Sequence, residues 1–438
     1  MQNSLWAEFQ DLPQFPALDG EVKCDVLVIG GGLAGLLCAR KLTDAGVDCA
    51  LIEADRIMHG ISRNTTAKLT VQHGLIYDKL LREFDADTVR GYWKMNQTAL
   101  EEYRRMAQAI PCDLETKDSF IYSTNAPEKL ERELRACEAL GIPAAFAESV
   151  PLPIDTVGAV RFREQAQFHP LKFAAGIAKG LKIFERTPAR EFIGTSVTTG
   201  RGLVRAEKII VATHFPMLNK HGGYFLKLYQ DRSYVVAMEN AGNVDGMYLG
   251  EGEEGLSFRN QGRYLLLGGG GHRTGKKSRG WAPLEAFANA HYPTSRIRYY
   301  WAAQDCMSLD GIPYIGRYGK NTPDLYVASG FNKWGMTSSM AAALLLTEQV
   351  QGKEPEFASI FDPSRSVWRS QLFVNGFGAV GNLLTPTTPR CPHMGCALKW
   401  NRQERSWDCP CHGSRFTQDG RLLDNPATGN LKDGKGKK

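Results

Sequence analysis

The chain predicts an α/β Rossmann-like nucleotide-binding domain, a second domain rich in strands, and a small terminal module built around a metal centre. Three observations carry that expectation. CDVLVIGGGLAGLLCARKLTDAGVDCALIEAD (24–55) gives strand, glycine turn, helix, strand and acid in order. Apolar strand-like runs, FLKLY, SYVVAM and RYLLL, crowd residues 225–270. CPHMGCALKWNRQERSWDCPCHGSRF (391–416) holds four of the ten cysteines and two of the nine histidines, a density that scattered thiols do not explain. A chain of 438 residues has room for two or three such cores.

Composition excludes several classes. Hydrophobic content of 43% and charged content of 23% are those of a globular protein. The net charge of +6 is too small and dispersed to argue for nucleic acid, and its clusters, HRTGKKSR (272–279) and KDGKGKK, read as solvated loops. The first residues, MQNSLWAEFQ, offer no basic start and no apolar core, so no secretory signal is expected. SSMAAALLL is far short of the roughly twenty apolar residues of a transmembrane helix. Cys24, Cys38, Cys49, Cys112, Cys137 and Cys306 lack paired spacing and read as free thiols of a reducing compartment, the cytoplasm.

In the first element, Val26 to Ile29 is a β-branched run suited to a buried parallel strand. Gly30 permits the tight turn, Gly32 lets the backbone approach a pyrophosphate, and Gly35 allows close helix–strand packing. The unpaired N–H groups opening the next helix favour an anion. Glu53 ends the second strand, placed to accept a ribose hydroxyl, and an acid there disfavours a 2′-phosphate. The fingerprint alone does not separate FAD from NAD.

Later segments do. GISRNTTAKLTVQHG (60–74) is a polar loop containing Thr65 and Thr66, and EKIIVATHFP (207–216) is a strand ending on Ala212-Thr213. MSLDGIPYIG (307–316) and DLYVASGFNKWGMTSSMAAALLL (324–346) follow. The set resembles the FAD-dependent oxidoreductases of the D-amino-acid oxidase, glycine oxidase and sarcosine oxidase superfamily, over about residues 22–355. The resemblance implies FAD held by Gly30, Gly32, Gly35, Glu53, Thr65, Thr66, Ala212 and Thr213, with a returning turn of Gly330, Phe331, Trp334 and Gly335. It also implies an FAD-binding domain in three pieces, 22–80, 155–220 and 305–355, interleaved with an antiparallel α+β substrate domain at 81–154 and 221–304. Helices at Gln97–Ala109 and Ala126–Leu140 flank a strand at FIYS (120–123). Cys306 stands closer to Asp310 than the family's flavin-linking cysteine, so FAD is expected to be non-covalent.

LLLGGGGHRTGKKS (265–278) fails as a second fingerprint because no helix follows, and as a P-loop because Lys277 stands where Ser or Thr must hold magnesium. A glycine-rich turn between strands is expected, with His272 and Arg273 facing the flavin. Arg273 is a candidate for a substrate carboxylate, weighed against an ordinary surface arginine. His73, His169 and His214 adjoin flavin loops, where a lone histidine is more often structural. No Ser-His-Asp set and no 2-His-1-carboxylate grouping is apparent, so no catalytic residue is assigned.

The terminal boxes are Cys391-Pro-His393-Met-Gly-Cys396 and Cys409-Pro-Cys411-His412-Gly-Ser414. Each offers one Cys and one His plus a spare Cys, the arithmetic of a Rieske [2Fe–2S] centre with two thiolates on one iron and two imidazoles on the other. Zinc also accepts Cys and His donors. The boxes resemble those of Rieske proteins of the cytochrome bc type, over roughly residues 375–432. That resemblance implies Cys391, His393, Cys409 and His412 as ligands, a Cys396–Cys411 disulfide, and a small all-β Rieske domain at 386–432 behind a linker at 356–385. Two departures stand out. The segment before Cys391 is short, which predicts a module trimmed or leaning on the flavoprotein, and Phe416 replaces a tyrosine of high-potential relatives, which predicts an intermediate potential although Ser414 is kept.

Together the parts predict an FAD-dependent dehydrogenase that oxidises a small amine or amino acid and passes electrons singly through the cluster to an external acceptor. Rieske potentials lie roughly 250 mV or more above plant-type ferredoxins, about 6 kcal/mol per electron, which makes the cluster a ready acceptor. The alternatives are electron flow from cluster to flavin, a redox-sensing protein that turns nothing over, and a zinc-stabilised flavoprotein.

Overall fold

The computed structural model describes residues 3–218, 221–252, 254–365 and 389–431. Most of the expected linker, from 366 to 385, therefore lies outside the described residues.

The N-terminal fingerprint founds the first sheet. Gly20–Ile29 pairs in parallel with Cys49–Ile52 on one side and Gly202–Val211 on the other. Lys182–Phe184 and Leu325–Ser329 extend it in parallel, and Tyr314–Arg317 closes one edge antiparallel. The central strands are buried on both faces, which is why they read as continuous apolar runs. Helix Leu33–Asp44 covers one face and packs on Gly335–Val350, which in turn meets Ala86–Ala107. Asp85 caps that last helix by accepting from the Thr88 N–H at 2.8 Å.

A second sheet runs Arg296–Ser308, Leu228–Glu239, Tyr264–Arg273, Ser257–Gln261, Met247–Gly250, Glu115–Ser123, Gly158–Gln167 and Lys68–Leu69. Its pairings are antiparallel except that of Met247–Gly250 with Glu115–Ser123. Two segments depart from the expected division. Gly158–Gln167 and Lys68–Leu69 join this sheet rather than the first, because Gly158–Gln167 hydrogen-bonds along the whole of Glu115–Ser123. The glycine run 268–271 is likewise not a turn. It continues a central strand: Gly268 pairs on both sides, Gly269 with Leu228–Glu239 alone, and a register shift falls before His272, where Gly270 takes φ +66°.

The third unit is a four-stranded antiparallel sheet, Lys399–Asn401, Ser406–Asp408, Arg415–Thr417 and Leu422–Asp424. Its small core gathers Cys391, Cys396, Cys409, Cys411, Leu398, Phe416 and Ala427. Among the described residues no helix is long and apolar enough to cross a membrane.

Candidate functional site

Where the first sheet's strands end, a cavity of about 1650 Å³ opens between the two large sheets. Its floor is the glycine turn. Gly30 has φ +111°, and a Cβ there would lie 2.6 Å from the Ala212 carbonyl oxygen; one on Gly35 would lie 1.8 Å from that of Gly30. Side chains are excluded, so the backbone is free to meet a phosphate. Gly32 also lines the cavity, and the Ser62 hydroxyl accepts from the Leu33 N–H at 3.0 Å, a helix-end contact with no signal in the fingerprint. Glu53 lies beside the turn and accepts from the Gly31 N–H at 2.6 Å and the Asp55 N–H at 2.8 Å. Burial raises its carboxyl, these two donors offset part of that, and each oxygen keeps a lone pair for a hydroxyl donor.

The other expected FAD contacts surround the same space. Thr65, Thr66, Ala212, Thr213, Gly330, Phe331, Trp334 and Gly335 all line it. Thr65 is partly committed, since its hydroxyl accepts from the Ala67 N–H at 2.9 Å. Trp334 stacks on His73 at 5.0 Å and 18°; burial pushes that imidazole down to about 3, and its Nδ1 meets the Tyr92 hydroxyl at 2.6 Å. His73 is thus a neutral structural histidine, and His169 caps helix Pro170–Ile177. His214 lines the cavity at φ +64°, with Nε2 3.1 Å from Gln230 Oε1. Asp310 serves the frame: Arg365 binds it through two nitrogens at 2.7 and 2.9 Å while lying 4.0 Å over the Tyr314 ring. Cys306 is buried beside Ser329, and burial raises its thiol to about 12.

The second sheet supplies the opposite wall. Arg273 and Asp305 are the cross-strand neighbours of Asp231 on either side, and all three line the cavity. Burial pushes Asp305 up to about 6, and Lys333 stands 3.6 Å from Asp231. Lys68 also lines the cavity and had no sequence signal beyond its place in a polar loop. Its Nζ donates to the Tyr248 carbonyl at 2.8 Å and the Ser257 hydroxyl at 2.7 Å, and burial, helped by Arg259, brings it down to about 7.

The terminal boxes form two facing turns. The Gly395 N–H donates to the Cys391 carbonyl and the Gly413 N–H to that of Cys409, both at 2.9 Å, with both glycines at positive φ. The His393 and His412 rings stand 5.0 Å apart at 89°. The Cys409 thiol, with a smaller contribution from the Ser414 hydroxyl, lowers the Cys391 thiol against the effect of burial. Burial lowers His393 to about 4 and His412 to about 3, so both imidazoles are neutral as a metal requires. The buried Nδ1 of His412 has no hydrogen-bond partner among the described residues. Cys396 and Cys411 are joined as a disulfide that ties the turns together, and Cys409 Sγ lies within 4.8 Å of both sulfurs. Two thiols and two neutral imidazoles, one of each from either turn, are a donor set that fits a [2Fe–2S] cluster.

The two sites adjoin. The Phe215 ring, two residues past Thr213, lies 6.3 Å from His393 and 6.2 Å from His412. Leu422 to Asn425, with Ala427 and Thr428, belong to the terminal module and wall the cavity.

Comparison with known proteins agrees with this geometry. The family model for FAD dependent oxidoreductases matches residues 25–349, and that for the Rieske [2Fe-2S] domain matches 341–434. The chain is 34% identical to YhfW of Bacillus subtilis, named as a Rieske 2Fe-2S iron-sulfur protein, across 98% of this chain and 96% of that one. It is 25% identical to the gamma-glutamylputrescine oxidoreductase of Escherichia coli, across 78% and 87% of the two chains. Among solved structures, L-proline dehydrogenase from P. horikoshii shares the fold with a TM-score of 0.67 at 18% identity, over 80% of this chain and 98% of that one.

Proposed function

The chain belongs to the FAD-dependent oxidoreductase family and carries a terminal Rieske domain, and from that premise we propose that it is a dehydrogenase for a small amine or amino acid whose electrons leave through the Rieske module to an external one-electron acceptor. When bound, FAD supplies two-electron oxidation of an organic substrate, and the [2Fe–2S] cluster supplies one-electron transfer. In this reading Gly30, Gly32, Gly35 and Glu53 hold the dinucleotide, while Cys391, His393, Cys409 and His412 hold the cluster.

One observation carries the proposal: Phe215 stands beside the cavity strand end and touches the rings of both proposed imidazole ligands. An electron port placed against a flavin cavity has an evident use. The cavity wall supports the substrate class. Arg273 presents a guanidinium whose fork suits a carboxylate, and Asp231 one strand over and Asp305 two strands over present acceptors for an ammonium. Lys68, brought down to about 7, can hold or release a proton in the working pH range, which suits an amine that reacts only when neutral. The wall of Leu422 to Thr428 keeps water from that side. The six thiols outside the module are buried and free, which supports a reducing, cytoplasmic setting.

The test begins with EPR of the dithionite-reduced protein, where imidazole ligation gives a lowered average g. An anaerobic screen of amines and amino acids for cluster reduction follows. Stoichiometric hydrogen peroxide from turnover while the cluster stays oxidised would sink the dehydrogenase reading, and zinc with an EPR-silent protein would sink the port.

A further inference from the structure

The terminal module meets the flavoprotein over an interface packed like an interior. The Arg232 and Glu404 side chains are only 4% and 7% exposed, and Arg232 Nε donates to Glu404 Oε1 at 2.6 Å. The Tyr234 hydroxyl adds a bond to the same carboxylate at 3.2 Å from the flavoprotein, and Arg415 one at 2.8 Å from the module. Three glycines bring backbone into contact with nothing between. A Cβ on Gly275 would lie 2.6 Å from Pro410 Cα, one on Gly280 3.0 Å from Gln403 Cβ, and one on Gly413 2.5 Å from Gln230 Cβ. Gln304 Nε2 donates to the Gly413 carbonyl at 2.9 Å in the same buried layer.

Three of these contacts involve the second ligand turn itself, at Pro410 and Gly413. His412 is enclosed by the Phe215 and Phe225 rings, 6.2 and 6.3 Å away. On the cavity side, Asn425 Nδ2 donates to the Phe215 carbonyl at 3.0 Å and also to that of Thr213. Close-packed contacts of this kind lose a quarter to a half of their attraction over a gap of roughly 0.5–1 Å. Departure of the module would also strip a wall from the cavity.

We propose that the Rieske module works from this fixed dock, and that electrons cross a layer one side chain thick, Phe215 and Gln230, between the cavity wall at His214 and the imidazole of His412. The module does not swing between donor and acceptor. This rests on the electron-port reading above. The two electrons taken from substrate cross one at a time, the external acceptor removes the first before the second follows, and the protons leave to solvent.

A disulfide staple tests it. Gly280 and Gln403 face each other across the interface, away from both ligand turns; their 3.0 Å Cβ separation needs about half an ångström of relaxation to reach disulfide geometry, and the strain of a side chain on Gly280 at φ +61° is present equally in Gly280→Cys alone. In the Gly280→Cys, Gln403→Cys holoprotein the staple should close to completion without a change in flavin spectrum or cluster EPR. After the flavin is reduced by a deazaflavin photoreductant, cluster reduction in the stapled protein should match that of Gly280→Cys alone to within about twofold. A staple that closes in only a minor fraction overturns the dock. So does one that closes and slows cluster reduction about tenfold or more. If the unstapled protein fails to reduce its cluster at all, the electron-port reading falls, and the yield of the staple alone decides whether the dock is fixed.

Discussion

Replacing Glu404 with Gln keeps the shape of the side chain and removes a buried carboxylate that pairs closely with Arg232 of the flavoprotein and Arg415 of the module. Burial would raise this carboxyl, but Arg415 and Arg232 outweigh that and hold it at about 2. The gap between an ordinary 4.5 and about 2 corresponds to about 3 kcal/mol, at the lower end of the 3–5 kcal/mol typical for breaking a buried pair. The lower end is reasonable here, because Arg415 keeps Asp408 and Asp424, each at 3.0 Å. Arg232 keeps only Asp424 at 3.9 Å. The sign follows from the depressed carboxyl: the contribution is present in full above about 4.5 and is lost as pH falls through about 2. Thermal loss of the cluster's visible circular dichroism, followed from neutral to acid pH, reads the effect. Glu404→Gln should melt about 10 °C or more below the parent at neutral pH if the module unfolds as a unit, and the two curves should converge toward acid. Equal midpoints at neutral pH, or a gap that persists unchanged through acid, would refute the argument.

Three further outcomes are expected. Gly35→Ala, whose Cβ would meet the Gly30 oxygen at 1.8 Å, should yield protein that retains its cluster signal but little flavin, read by absorbance after gel filtration. Arg273→Met should raise KM for a carboxylate-bearing substrate by roughly 10–100-fold, the loss of a charged hydrogen bond worth about 1.5–3 kcal/mol, and leave the KM for a simple amine little changed. Lys68 is brought down to about 7, so the parent's flavin reduction should rise with pH through about that value as the lysine becomes a neutral proton acceptor. In Lys68→Met that limb should vanish from the stopped-flow pH profile; a limb that survives would assign the proton to another group.

What the sequence made legible is what a short stretch can specify by itself. The turn from Gly30 to Gly35 needs residues without side chains at fixed spacings, and Glu53 is delivered by the strand that pairs directly beside it, so both are readable in order. Each terminal box likewise closes its own turn, so one Cys and one His are positioned within a few residues. The linear pattern failed where partners are distant. Lys68 became a candidate only because Tyr248 and Ser257, far along the chain, meet its Nζ. Gly158–Gln167, GAVRFREQAQ, is half polar and carries no local signal of which sheet it joins; register with Glu115–Ser123 decides it. The glycine run 268–271 suggested a turn because glycine is the ordinary turn residue, yet Gly268 and Gly269 are held in the sheet by pairing with neighbouring strands, and within the run only Gly270 takes a positive φ.

The least legible feature is the one on which the reading of the whole chain turns. Arg232 sits in an alternating strand and Glu404 in a polar stretch between two metal boxes, and nothing in either neighbourhood distinguishes them from surface charges. Their meaning appears only when the second sheet turns one face to the cavity and the other to the terminal module. On that strand Asp231 points to the proposed substrate site while Arg232 reaches Glu404. Period-two geometry thus places a substrate contact and a docking contact on adjacent residues. A change that slipped this strand by one residue would exchange the two faces and disable cavity and dock together. In that proposal the coupling of the two redox sites rests on the register of a single strand, Leu228–Glu239, as well as on the cofactor motifs.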